Sequence, residues 1–383
     1  MRNDVNSFYL KNTKLYQDRS FVETTLTVHQ GVITKIGGEN EEAPDTIDAK
    51  GCYVIPGFID PHTHGAFGID LNHASANELK TLGIKLARHG TTSWLCSIGC
   101  DAPSQTEKAI HEAVLAIEEP GKGAELLGIH LEGPFLSPKF HATFEERYIQ
   151  ASDIELLHHY QAIAKGHIRS MTMAPEIRGA KDLMAKAIAL GIRISIGHSD
   201  ATWQQTVDAY KAGAHAVTHL GNAMRGFHHR EPGILGAALD YPFFVEIIAD
   251  GVHSHPAFIR IVDRLKSPNH LMLVSDSMMA TGLPDGAYHL GSRDVTVKDG
   301  QSRKEDGRLA GSTLTMDRAL LNLMEMTQKS LAELIPASST NAAQWLGLSH
   351  KGNIAPGMDA DLVFMDKQGA LTRVFCRGEE AKG

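Results

Sequence analysis

The chain has 383 residues, 42% of them hydrophobic and 21% charged, with a formal net charge of -8. The length exceeds the roughly 250 residues of one (β/α)8 barrel and leaves room for a second domain, while the composition excludes a disordered or fibrous chain. The negative balance argues against a general nucleic-acid binder, which carries a basic face.

In chain order, Phe8–Leu10, Thr24–His29 and Val32–Ile36 read as short strands, with Gln30-Gly31 a tight turn between the last two. The C-terminal segments 361–366 and 371–376 have the same texture. Between these ends lie eight apolar runs: 54–59, 92–98, 126–131, 171–174, 192–196, 216–219, 245–248 and 271–274. Helical spacing separates most of them, over 76–88, 106–118, 153–164, 180–190, 203–211 and 257–265, and 316–327 closes the set. The piece between the sixth and seventh runs, 234–239, is short and poorly periodic. Strands alternating with helices give βαβ units and a parallel sheet, and eight units favour closure into a barrel. The stretch 282–307 reads as a small hairpin inserted near the active site. Four cysteines (Cys52, Cys96, Cys100, Cys376) form neither a C-x-x-C pair nor a finger spacing, so reduced thiols are expected. The opening stretch lacks an apolar signal region, and no apolar run reaches the ~18 residues of a membrane span. The expectation is a cytoplasmic, two-domain protein without membrane or nucleic-acid partners.

The 21 histidines direct attention to where they cluster. Six or seven of the eight runs end in a histidine or carboxylate: His62 and His64, Glu132, Glu176, His198, His219, Asp250 with His253, and Asp276. The C-terminal ends of parallel barrel strands converge on one face, where such enzymes keep their sites. His62-x-His64 has strand period two, so both imidazoles share a side. Alone, an H-x-H is as often a polar strand end as a metal site. Together with Glu132, His198 and His219 from neighbouring strands, the ligand reading prevails, because two imidazoles and a carboxylate with an open position suit a catalytic divalent metal. Zinc fits first, and iron, manganese and cobalt accept the same donors. Asp276 is placed to ligate metal or to shuttle a proton, and His253 to polarise a carbonyl.

PGFIDPHTHG, HLEGPF, GHSDA, THLGNAM, HHREPG, ADGVH, VSDS and LAGSTLTM occur in this order. In these motifs the chain resembles the N-acetylglucosamine-6-phosphate deacetylases of the amidohydrolase superfamily, from about residue 48 to PGMDADLVFMD. The resemblance implies a metal-dependent (β/α)8 barrel, residues 54–354, with a small β-sandwich built from both ends, 1–53 and 355–383. It implies Glu132, His198 and His219 as ligands of one metal, with His62 and His64 able to hold a second. Asp276 matches the acid/base and His253 the contact to the substrate amide. Asn222, Ala223 and Arg230 match the sugar-phosphate contacts, and Leu309, Ala310 and Gly311 a segment over the sugar. The implied reaction converts N-acetylglucosamine 6-phosphate to glucosamine 6-phosphate and acetate in amino-sugar catabolism, carried out by a homodimer. One departure stands out. Where the family has Gly-Ala-His or Gly-Thr-His, this chain reads Phe140-His141-Ala142-Thr143-Phe144, with Thr143 at the substrate-contact position and Phe144 in place of the histidine. That admits N-acetylgalactosamine 6-phosphate as the alternative substrate. A cyclic amidase with a modified lysine on the fourth strand is disfavoured, since 171–176 contains no lysine. A non-catalytic scaffold would not need the intact ligand set.

Overall fold

The computed structural model describes residues 6–39, 43 and 45–381. Its centre is a parallel sheet of eight strands: β1 (Phe58–Thr63), β2 (Thr91–Gly99), β3 (Glu125–Glu132), β4 (Ile168–Met173), β5 (Arg193–Ile196), β6 (Ala214–Val217), β7 (Phe244–Ile247) and β8 (Leu271–Leu273). Each pairs with its sequence neighbour. The ends of β1 and β8 close the ring, with Asp276 N donating to His62 O at 2.9 Å and His64 N to Ser277 O at 2.8 Å. Strands β1 and β2 are buried along their whole length. This is why they read as unbroken apolar runs rather than alternations.

Helices cover the barrel outside. Pro256–Lys266 turns Ile259 and Val262 inward and leaves Ile261 and Leu265 exposed, the amphipathic spacing its sequence shows. Ser75 with Glu78 and Thr202 with Gln205 form reciprocal caps that fix two helix starts. The irregular 234–239 piece is a helix, Gly233–Asp240, that buries Ile234, Leu235, Ala237 and Ala238 and so shows no polar stripe. Two further helices, Leu331–Ser338 and Thr340–Leu346, pack against β1 and β8. They are short, and Pro336 inside the first hides its periodicity.

The run 54–59 divides between two sheets. Tyr53–Pro56 joins a sheet from the two chain ends, between Phe8–Gln17 and Leu362–Met365, and β1 begins at Phe58. The break falls at Gly57, where a Cβ would lie 2.1 Å from the Thr92 hydroxyl oxygen, so only glycine allows the chain to cross so close to β2. The end sheet continues through Ser20–His29 and Val32–Ile36 on one side and Leu371–Cys376 and Glu379–Glu380 on the other. It curls round its own core of Leu10, Leu15, Leu26, Val28, Val54, Leu362 and Phe375. After β8 the insertion forms three antiparallel strands, Gly286–Leu290, Arg293–Lys298 and Gln301–Arg303, one more than the expected hairpin.

Candidate active site

At the C-terminal end of the barrel the strands deliver their polar residues to one point. Glu132 ends β3, and its two oxygens divide among four imidazoles. Oε1 lies 3.0 Å from His198 Nε2, 3.1 Å from His219 Nε2 and 3.5 Å from His62 Nε2, and Oε2 lies 3.0 Å from His64 Nε2. Two ligand triads therefore share one carboxylate: His62, His64 and Glu132, and Glu132, His198 and His219. All five residues are buried. Asp276 Oδ1 stands 3.5 Å from His64 Nε2 and 3.7 Å from His62 Nε2.

This cluster suits a divalent cation on chemical grounds. Nε2 atoms face one another at 3.2 Å, both between His62 and His64 and between His198 and His219. Neutral imidazoles at that separation set lone pair against lone pair unless a proton or a cation lies between them. Burial by itself depresses the basicity of His62, but the carboxylates of Glu132 and Glu246, on its two sides, raise it well above the ordinary histidine range. Burial disfavours the Glu132 carboxylate, yet the charges of His62, His198 and His64 hold it well below its usual range. Burial pulls His198 down, and for His219 the hydrogen bond to Glu132 overcomes burial and raises it. A cation can replace the positive charge that these groups otherwise share as protons.

Second contacts orient the rings. His198 Nδ1 donates to Phe140 O at 2.9 Å, and His64 Nδ1 lies 3.2 Å from Ser97 O. His62 Nδ1 lies 3.0 Å from Glu246 Oε2, which also accepts the His219 backbone N–H at 3.1 Å. Such partners fix tautomer and orientation in metal sites. His219 Nδ1 is the exception, buried without a partner among the described residues. Beneath the cluster, Ser97, His130, Thr172, Thr218 and Ser195 form a buried hydrogen-bonded chain. Asp60 accepts from the backbone N–H and hydroxyl of Ser275 and ties β1 to β8, while burial pushes its carboxyl up to about 6.

The backbone is itself unusual here. His198, His219 and Asp276 have φ of 47°, 30° and 45°. Left-handed backbone at residues with a side chain costs about 1–3 kcal/mol each and persists where surrounding structure dictates it. That structure is present: Ser137 N donates to His198 O, Asn222 N to His219 O and Ser312 N to Asp276 O, at 2.7–2.9 Å. These turns aim three side chains at the cluster as the chain leaves β5, β6 and β8.

The cavity above measures about 530 Å³. His64, Glu132, His198, His219 and Asp276 form its floor, with Thr143, Asn222, Ala223, His253, Leu309 and Gly311 around it. Every one of these was expected from sequence. His253 Nδ1 meets Asp250 Oδ2 at 2.6 Å, which leaves Nε2 as the nitrogen for a ligand. Burial opposes the Asp250 carboxylate, but the hydrogen bond and charge of His253 hold it below its usual range. Two expected residues lie apart. Ala310 is buried beside Met278 and Val295. Arg230 is exposed, its Nη1 3.0 Å from His229 Nε2, and it does not line the cavity. Nor does it pair with Glu231, which accepts from Trp203 N and Gly233 N. Glu176 is likewise outside the cluster and holds Ser199 and Asp200 in the loop after β5.

Sequence reasoning missed Glu246 and Arg293. A glutamate inside the apolar run 245–248 is a signal that was available, since a fully buried carboxylate needs a partner. Arg293 lines the cavity from the insertion, and nothing in its local sequence sets it apart from a surface arginine.

The chain belongs to the amidohydrolase family, whose model matches residues 53–381. It is 39% identical to N-acetylglucosamine-6-phosphate deacetylase of Bacillus subtilis (strain 168), over 92% of this chain and 91% of that protein. It is 34% identical to N-acetylgalactosamine-6-phosphate deacetylase of Escherichia coli O157:H7, over 93% and 94%. Among solved structures, a point mutant of N-acetyl-D-glucosamine-6-phosphate deacetylase from Mycobacterium smegmatis, in complex with N-acetyl-D-glucosamine-6-phosphate, superposes with a TM-score of 0.91 at 29% identity, covering 98% of this chain and 100% of that one. Among the described residues no helix is long and apolar enough to cross a membrane.

Proposed function

We propose that this chain removes the acetyl group from N-acetylglucosamine 6-phosphate, releasing acetate and glucosamine 6-phosphate. The observation that carries the reading is Glu132 shared by four imidazoles, with Asp276 Oδ1 3.5 Å from His64 Nε2 at the floor of one cavity. Relatives named for this reaction on either amino-sugar phosphate support it. Glu132, His198 and His219 would hold one divalent cation, zinc by first choice, and His62 and His64 a second. A cation held there would supply Lewis acidity, the chemistry that polarises an amide oxygen and lowers the pKa of water toward neutrality.

The protein's own groups do the rest. Asp276 takes the proton from the attacking water and returns it to the nitrogen as the C–N bond breaks. His253, held by Asp250 through Nδ1, presents Nε2 to the amide oxygen, where negative charge develops. Asn222 and Ala223, on the cavity wall, meet the sugar phosphate, and the exposed Arg230, outside the lining on the loop after β6, is its cation. The cavity's burial keeps these charges in a low-dielectric setting, where fixed donors count for more than in water.

The test is acetate release from N-acetylglucosamine 6-phosphate by protein of measured metal content. We expect turnover that is lost on chelation and returns with added divalent metal. Metal-replete protein that releases no acetate would sink the reading. Faster turnover of the galacto epimer would move the assignment to that sugar.

A further inference from the structure

We propose that Arg293 is a positioning residue that sets which amino-sugar epimer the cavity accepts, acting through Thr143 and Phe144. The inference rests on the deacetylase reading above. It concerns the stretch where the sequence departs from the family pattern.

Arg293 starts the second strand of the insertion and is 7% exposed. Its position is fixed from below, because Gly291, with φ of 57°, donates its N–H to Asp70 Oδ2 at 2.7 Å. Its Nε donates to Leu290 O at 2.8 Å and its Nη1 to Thr143 Oγ1 at 2.7 Å. The guanidinium lies 4.6 Å from the Phe144 ring centroid, and that ring lies 5.1 Å from the His198 ring. Phe144 has its place because residue 99 is glycine: a Cβ there would come within 2.9 Å of the ring. Thr143, Phe144 and Arg293 all line the cavity.

The chemistry follows from donor counting. A guanidinium only donates, so Thr143 Oγ1 accepts from it. The threonine hydroxyl proton is then left to donate elsewhere, and Arg293 is the hydroxyl's only hydrogen-bond partner among the described residues. Thr143 lines the cavity, so that proton is available to a sugar oxygen bound there. Threonine hydroxyls normally rotate to suit their surroundings, but this one has its acceptor side pinned by a buried cation. A pinned donor distinguishes two orientations of one sugar hydroxyl, because the wrong epimer leaves it without an acceptor. Phe144, clamped between Arg293 and His198, closes the wall beside it and fixes how near the sugar can approach.

The experiment compares Thr143→Val, Thr143→Ser, Arg293→Met and the Thr143→Val/Arg293→Met pair with wild type. Acetate release from N-acetylglucosamine 6-phosphate and N-acetylgalactosamine 6-phosphate gives kcat and KM for each. Metal content is measured on the same samples. Thr143→Val is expected to change the ratio of kcat/KM between the epimers by about tenfold or more, mainly through KM, at unchanged metal content. Thr143→Ser, which keeps the hydroxyl, should retain the wild-type ratio. Arg293→Met should shift the ratio in the same direction, and the pair should shift it no further than one change alone. An unchanged ratio, or equal losses on both sugars, overturns the proposal. If Arg293→Met does not fold, Arg293→Gln takes its place: it removes the charge that pins the hydroxyl, should shift the same ratio, and an unchanged ratio there overturns the proposal. Wild-type protein that deacetylates neither sugar removes the deacetylase reading itself and this inference with it, an outcome visible before any variant is made.

Discussion

The floor of the cavity and the outer rim of the barrel end, beyond the cavity lining, are built by different means. On the floor, Glu132 and the four histidines are buried, each held by contacts that cross the barrel, and His198, His219 and Asp276 sit on left-handed backbone. On the rim, Arg230 and its neighbours Phe227, His228 and His229 are exposed, and Phe227 is 61% exposed. Between the two, Thr143, Phe144 and Arg293 are buried like the floor but belong to loops and the insertion. The difference separates two jobs. A group that must hold a metal or move a proton needs neighbours that over-determine it. A group that meets a large, hydrated substrate needs room to receive it.

The comparison predicts that floor variants fail completely and rim variants fail selectively. The largest effect is expected at Glu132. Because both triads use its carboxylate, Glu132→Gln should lower metal content at both positions and abolish turnover, whereas His62→Ala should spare the His198/His219 position. Elemental analysis of the two variants decides. Near-full metal in Glu132→Gln would mean the carboxylate is not the shared ligand.

Next is Asp276→Asn, which keeps shape but cannot take a proton. With metal content intact, kcat should fall by roughly 10²–10⁴-fold while substrate binding is largely kept. Normal kcat would remove Asp276 from the proton path. Glu246→Gln comes third. Glu246 touches no substrate, but it orients His62 by Nδ1 and His219 by its backbone N–H. Outer partners of this kind are worth roughly 10–100-fold in metal affinity or activity. Titration with a competing chelator should show weakened binding, and unaltered affinity would leave Glu246 a purely structural group.

How much of this was legible in the sequence follows the same division. The barrel strands announce themselves as apolar runs because both faces are buried, and the floor residues fall at the run ends, where parallel topology must gather them. His62-x-His64 is readable because strand period two puts both rings on one side. The turn of run 54–59 from one sheet into another was not readable, since it depends on the Thr92 side chain meeting Gly57 across the fold. Glu246 was half legible, as a carboxylate out of place in an apolar run. Arg293 was not, because its role comes from contacts across 150 residues of chain to Thr143. Local pattern encodes which way a strand faces, and says little about which distant loop will lie over it.

The most selective effect is expected at Arg230, and it tests the rim most directly. The protein is negative overall, so a phosphate substrate needs a local cation. Arg230 follows β6 on the same end of the barrel as the metal cluster, and among the described residues its exposed guanidinium meets His229 and no carboxylate. An arginine without an acidic partner keeps its bidentate fork for a phosphate. If it receives the 6-phosphate, Arg230→Ala should lose roughly 10–100-fold in kcat/KM on the phosphorylated sugar, the range of a charge-assisted hydrogen bond. The loss should appear mainly in KM, since the group lies away from the reacting bond. On the same N-acetyl sugar without phosphate the change should be small, and metal content should not move. The loss on the phosphorylated sugar should also shrink as salt rises, because an exposed ion pair is screened. Equal losses on both sugars would instead mean that Arg230 supports the loop after β6, and the phosphate contact would have to be sought among the cations that line the cavity, Arg293, Arg303 and Arg308.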